Sequence, residues 1–87
     1  MSVSTATITS IDVNSRISNA LRRHWRGHSA IKRAARAIGV PDRTLEGWWQ
    51  ARREPRAREL IAAMAACDAL HDEINALVAE RKAQLES

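Results

Sequence analysis

The chain contains no phenylalanine and no tyrosine, one cysteine, two prolines and three glycines in 87 residues. Each shortage excludes something. A single cysteine, Cys67, cannot close an internal disulfide. So few glycines leave no Gly-rich loop to cradle a phosphate. Without Phe and Tyr, Trp25, Trp48 and Trp49 must supply every aromatic ring of the core or of a contact surface. No apolar run approaches the ~20 residues that a membrane helix needs. No signal-peptide pattern opens the sequence, so the expected location is cytoplasmic and nucleoid-associated, in a bacterial or phage-infected host. No nucleophile–base pair or carboxylate constellation stands out, so neither catalysis nor a cofactor is expected.

What is present is alanine and arginine. Alanine is abundant, and β-branched residues cluster only near the start. That composition predicts an all-α chain. Its length allows one small domain with a compact core. The net charge of +4 is unevenly spread. Residues 1–58 hold twelve Lys and Arg against four Asp and Glu, whereas residues 59–87 hold two against six. A basic first part and an acidic last part suggest a nucleic-acid face and a separate helix for self-association or another partner. A GC-rich genome would account for much of the Arg and Ala, but not for this asymmetry. Most of the cations are Arg, which suits bidentate contact with phosphate or guanine.

The organising stretch is Ile31 to Gln50, IKRAARAIGVPDRTLEGWWQ. Ala34, Ala35 and Ile38 fall on one face of a first short helix. Gly39 ends it, because a residue without Cβ enters the left-handed region at little cost. Val40 points back to the core. Pro41 has a fixed φ suited to a helix entrance. Asp42 meets the positive end of the next helix, which Leu45, Trp48 and, at the edge, Trp49 seat on the core. Ala35 is small enough to let the two helices cross closely. This is the pattern of a helix-turn-helix, whose second helix fits a DNA major groove.

Through Ala35, Gly39, Val40, Thr44, Leu45 and Trp48, followed by the basic run from Ala51 to Pro55, the segment resembles small bacterial and phage regulators of the lambda-repressor-like (Cro/CI, XRE) class. The chain departs from that pattern at Pro41, where Ser or Thr is common, and at Ile31 and Lys32, near which a Gln or Glu often stands. The resemblance implies a transcriptional regulator, more often a repressor, carried by a phage or other mobile element.

Around the motif, residues 1–13 read as a flexible arm, although Val3, Ile8, Ile11 and Val13 also suit a short strand. Asn14 or Ser15 is placed to cap a helix carrying Ile17, Ala20, Leu21, His24 and Trp25 on one face. Ser29 is placed to cap the first motif helix. The recognition helix is predicted over 42–52 and broken by Glu54-Pro55. A single helix is then predicted from Pro55 to Leu85, with Leu60, Met64, Cys67, His71, Ile74, Val78, Arg81 and Leu85 along its stripe and Ile61, Leu70 and Leu77 widening it. The expected architecture is a compact domain of four or five helices: a helix-turn-helix domain over 14–70 and a C-terminal extension over 71–87. The second half of the long helix has no evident partner in the chain. Leu70, Ile74, Leu77, Val78 and Leu85 are therefore the expected interface with a second copy or another protein.

The expected base contacts are Arg43, to guanine, Glu46, to cytosine N4, Gln50, to adenine, and Gly47, whose bare backbone would allow close approach. Gly47 has a second reading, since glycine within a helix costs about 1 kcal/mol relative to Ala and can mark close packing. Backbone contacts are expected from Ser29, Lys32, Arg33, Thr44, Arg52, Arg53 and Arg56, with Arg58 nearby. The plainer reading is that these are solvated charges. A zinc site from His24, His28, Cys67 and His71 is the weaker reading, since no zinc-type Cys pair exists and single His and Cys residues on apolar stripes usually belong to the core. The leading expectation is a sequence-specific DNA-binding regulator, dimeric on an inverted repeat. The alternative is an antiactivator-like regulator that binds protein through Trp49 or the C-terminal helix.

Overall fold

A computed structural model describes residues 10–86. Five helices follow one another: α1 (Ser10–His24), α2 (Ala30–Ile38), α3 (Asp42–Trp49), α4 (Ala57–Ala66) and α5 (Asp68–Glu86). No strand occurs among the described residues. The all-α expectation, with a central helix-turn-helix and a long last helix, holds.

α1 begins earlier than the sequence suggested. Residues 10–13 of the expected arm form its first turn, and Asn14 and Ser15 lie inside the helix rather than capping it; residues 1–9 of that arm lie outside the described residues. The reason is that the apolar stripe extends backwards. Val13 packs on the core one turn before Ile17, and Asp12 in the first turn meets the positive end of the helix. Ile17, Leu21 and Trp25 are buried, whereas His24, expected on the same face, is exposed.

α2 buries Ala30, Ala34, Ala35 and Ile38, and α3 buries Leu45 and Trp48 against them. Between them Gly39 takes φ 91°. The N–H groups of Gly39 and Val40 both bond the Ala35 carbonyl, at 2.8 and 3.0 Å. The turn chemistry is as the sequence reads: glycine at the left-handed position, Val40 half-buried, and Pro41 extended at the entrance to α3.

The predicted unbroken helix from Pro55 to Leu85 is two helices. Cys67 is extended (φ −142°, ψ 102°) and separates α4 from α5. Its buried thiol accepts the Leu70 N–H at 3.4 Å, as an N-cap side chain does for the third residue of a helix, and burial pushes the thiol pKa up. The break re-aims the apolar stripe, so α4 packs on α2 while α5 packs on α1.

That packing overturns the expectation that α5 lacks a partner in the chain. Leu70 and Leu77 are buried and Ile74 is half-buried, so three of the five proposed interface residues belong to this fold. Val78 and Leu85 remain exposed, at 49% and 69%. Charge completes the α1–α5 contact. Arg16 pairs with Glu73 through Nε and with Glu80 through Nη1 (2.7 Å), and Arg23 reaches Glu73 at 3.3 Å. Arg16 lies between two glutamates seven apart, and Arg23, further along α1, reaches only the earlier one. The two helices therefore run in opposite directions.

Glu73 is the centre of this network, its side chain only 18% exposed. The hydrogen bond from Arg16 holds its carboxyl below the usual carboxylate range, against an opposing effect of partial burial. A depressed folded pKa stabilises above the unfolded value of about 4.3, and that stabilisation is lost as pH falls through the folded value. Glu73→Gln is expected to lower stability by about 1 kcal/mol at neutral pH, or roughly 4–8 °C in Tm. The gap between variant and parent should narrow as the pH falls below the ordinary carboxylate range and through the lowered folded pKa of Glu73. Thermal melts of both proteins across pH check this.

Candidate nucleic-acid interface

The outer face of α3 is where the sequence placed the site. Arg43 and Glu46 are exposed there, and Gln50 is exposed at the helix end. Arg43 and Glu46 line a shallow depression of about 480 Å³ together with Arg52 and Arg53. Gln50 lies at the edge of another depression, bordered by Ser15, Asn19 and Trp49.

α3 stops at Trp49, three residues short of the predicted 52. The Ala51 N–H bonds the Trp48 carbonyl (3.1 Å) and the Arg52 N–H bonds that of Gly47 (2.9 Å). These are the paired bonds of a left-handed helix cap, the 6→1 bond of which also closes α2. At α2 the left-handed residue is Gly39, but at α3 it is Ala51, with φ 59°. Alanine there is disfavoured by roughly 1–2 kcal/mol, partly offset in glycine by chain entropy. Ala51→Gly is therefore expected to raise stability by about 0.5–1 kcal/mol, read from urea midpoints at unchanged m.

Gly47 is buried beneath the Arg53 side chain, yet it lines the same depression as Arg43 and Glu46. A Cβ at this position would lie 2.8 Å from Arg53 Cδ and 3.1 Å from its Cγ, and the Arg53 N–H bonds the Gly47 carbonyl at 3.3 Å. The chain turns back at Ala51 and lays the Arg53 stem across the middle of α3. What lies against Gly47 is the Arg53 side chain, which a Cβ there would push aside.

The remaining residues fall into two groups. Lys32, Arg52, Arg53, Arg56 and Arg58 are exposed, and no described carboxylate lies within ion-pair distance of any of them or of Arg43. Thr44 is half-buried beside Arg53, Glu54 and Arg56. The Arg56 backbone N–H donates to the Glu59 carboxylate at 2.9 Å, fixing the start of α4. Arg33 and Ser29 do something else. The Arg33 guanidinium donates to the carbonyls of Arg26 and His28 and ties down the α1–α2 loop. Ser29 is left-handed (φ 60°) and makes no side-chain cap, although its carbonyl accepts the Arg33 N–H at 3.0 Å.

One residue that positions α3 was missed. Arg22 of α1 donates to the Trp49 carbonyl at 2.8 Å and stacks 5.2 Å from the centre of the Trp49 ring. The Ser18 hydroxyl donates to the same carbonyl. A cation on the last carbonyl of α3 complements the negative helix end, and the ring contact adds a cation–π attraction. Trp49 is accordingly half-buried and held by α1. No sequence signal pairs residues 22 and 49; only the fold brings them together.

Among the described residues, no three His, Cys, Asp or Glu side chains come together as a metal site would require, and no helix is long and apolar enough to cross a membrane. Compared with family models, with curated proteins and with solved structures, the chain matches none.

Proposed function

We propose that the protein is a sequence-specific DNA-binding transcriptional regulator, acting as a repressor, that places α3 in the major groove. The observation that carries the reading is the set of unpaired cations around a short, exposed helix of a helix-turn-helix. Arg16 and Arg23 are neutralised by α5, whereas Arg43, Arg52, Arg53 and Arg56 have no carboxylate partner among the described residues. Cations left unpaired at one end of a small domain create a local positive field that attracts a polyanion. Arg43 and Gln50 then read base edges, and Lys32, Thr44, Arg52 and Arg56 hold phosphates.

Dimerisation on an inverted repeat is part of the proposal, but its surface is reduced to Val78 and Leu85, since Leu70 and Leu77 are enclosed by the chain itself. The protein-binding alternative, antiactivator-like in character, loses much of its support, because Trp49 is tied to Arg22 and α5 is engaged with α1. The deciding experiment is fluorescence anisotropy against DNA from upstream of the protein's own gene, with scrambled competitor, at two salt concentrations. Tight, salt-sensitive binding that survives the competitor supports the regulator; binding that any DNA displaces overturns sequence specificity.

A further inference from the structure

Position 47 lies at the middle of the α3 face that would meet a base pair, and glycine leaves it without a side chain. The space is filled from elsewhere. The Arg53 stem crosses the helix there, with Cδ and Cγ 2.8 and 3.1 Å from where a residue-47 Cβ would stand. Its backbone is pinned by the N–H bond to the Gly47 carbonyl and by the left-handed turn at Ala51. Arg53 lines the same depression as Arg43 and Glu46 on one side and that of Thr44 and Arg56 on the other. It therefore divides the outer face of α3, and no carboxylate among the described residues pairs with it.

We propose that Arg53 is a specificity-determining residue. It substitutes for the side chain that α3 lacks at Gly47 and presents its guanidinium to a base edge, most suitably guanine O6 and N7, beside the pair read by Arg43. The inference rests on the DNA-binding reading above and deepens it. Arg53 would otherwise be counted with Arg52 and Arg56 as a backbone contact. What sets it apart is that its stem lies against Gly47, the one position of α3 without a side chain. A stem that rests on the helix loses less freedom on binding than a loose surface arginine, which favours a directional base contact.

The test begins with selection of binding sites by the full-length protein from a randomised duplex library. The selection is repeated with Arg53→Ala, Arg53→Lys and Gly47→Ala, each first shown to be folded by its thermal melt. A base-reading Arg53 predicts that Arg53→Ala loses roughly 5- to 150-fold in affinity for the selected site and relaxes the preference at one base pair. Arg53→Lys, which keeps the charge and loses the fork, should relax the same base pair. Gly47→Ala should do so too, although Arg53 is still present, because the new methyl displaces its stem. Uniform weakening on all sequences, with the salt slope reduced by about 1 and the selected motif unchanged, would make Arg53 a phosphate contact and overturn the proposal. If the parent protein selects no site at all, the DNA-binding reading fails and this one with it.

Discussion

Trp48→Ala is expected to leave the protein largely unfolded at moderate temperature. Trp48 is the largest fully buried side chain, 1% exposed, and it closes the core where α3 meets α1 and α2. With no Phe or Tyr in the chain, no other large ring is available to collapse into the hole. Truncating a buried Trp costs about 3–5 kcal/mol in lost transfer and cavity terms. A domain of this length has about 4–13 kcal/mol of stability in total. The loss corresponds to roughly 12–40 °C in Tm, measured by far-UV circular dichroism. Trp49→Ala is the control. Trp49 is half-buried and its ring is covered partly by Arg22, so its removal should cost about 1–2 kcal/mol and leave the fold intact. Equal losses at the two positions would mean that the packing around α3 is wrong.

The contrast between these neighbours was legible only in part: adjacent helical residues point about 100° apart, so the two rings cannot fill one place, but Trp48 and Trp49 stand three and four residues after Leu45 and both border its face. The whole turn from Ala35 to Leu45 was legible for the same kind of reason: its residues are constrained locally, by a left-handed glycine, a fixed proline φ and a period of three and four. What the sequence did not yield was non-local. The break at Cys67 has no glycine or proline to mark it; it exists because α4 and α5 pack on different partners, and a cysteine serves as the cap. Arg16 and Arg23, seven apart, and Glu73 and Glu80, seven apart, were visible as charges. Reading them as an antiparallel ladder required knowing that α5 folds back on α1. The uneven charge that suggested separate roles for the two ends of the chain is therefore partly an internal attraction. The candidate site was legible in part. Arg43, Glu46 and Gln50 are exposed as expected, but Arg33 and Gly47 are occupied by contacts within the chain. Ala51 concealed the end of α3, because the left-handed cap that glycine announces at position 39 is made there by alanine.

The same cations set the largest functional effect to be expected. If α3 enters the groove with Arg43 and Arg53 on base edges and Lys32, Arg52, Arg56 and Arg58 on the backbone, about four phosphates are neutralised per protein. The dissociation constant should then rise by roughly 10²-fold between 50 and 200 mM salt, with a log–log slope near −3.6. Removing Arg52 and Arg56 together should flatten that slope by about 2 and weaken all sequences alike, because both are proposed phosphate contacts. Arg43→Ala should behave differently. It is expected to lose roughly 5- to 150-fold on the preferred site with a much smaller loss on scrambled DNA, since a bidentate pair to guanine discriminates against the wrong base. Fold stability should be nearly unchanged in both variants, because each side chain is exposed and unpaired among the described residues. A shallow slope in the parent protein would remove the polyanion from consideration. Regulation that survives Arg43→Ala but is lost with Leu85→Asp would then point to a protein partner at the exposed end of α5, where Val78 and Leu85 are the apolar side chains still uncovered.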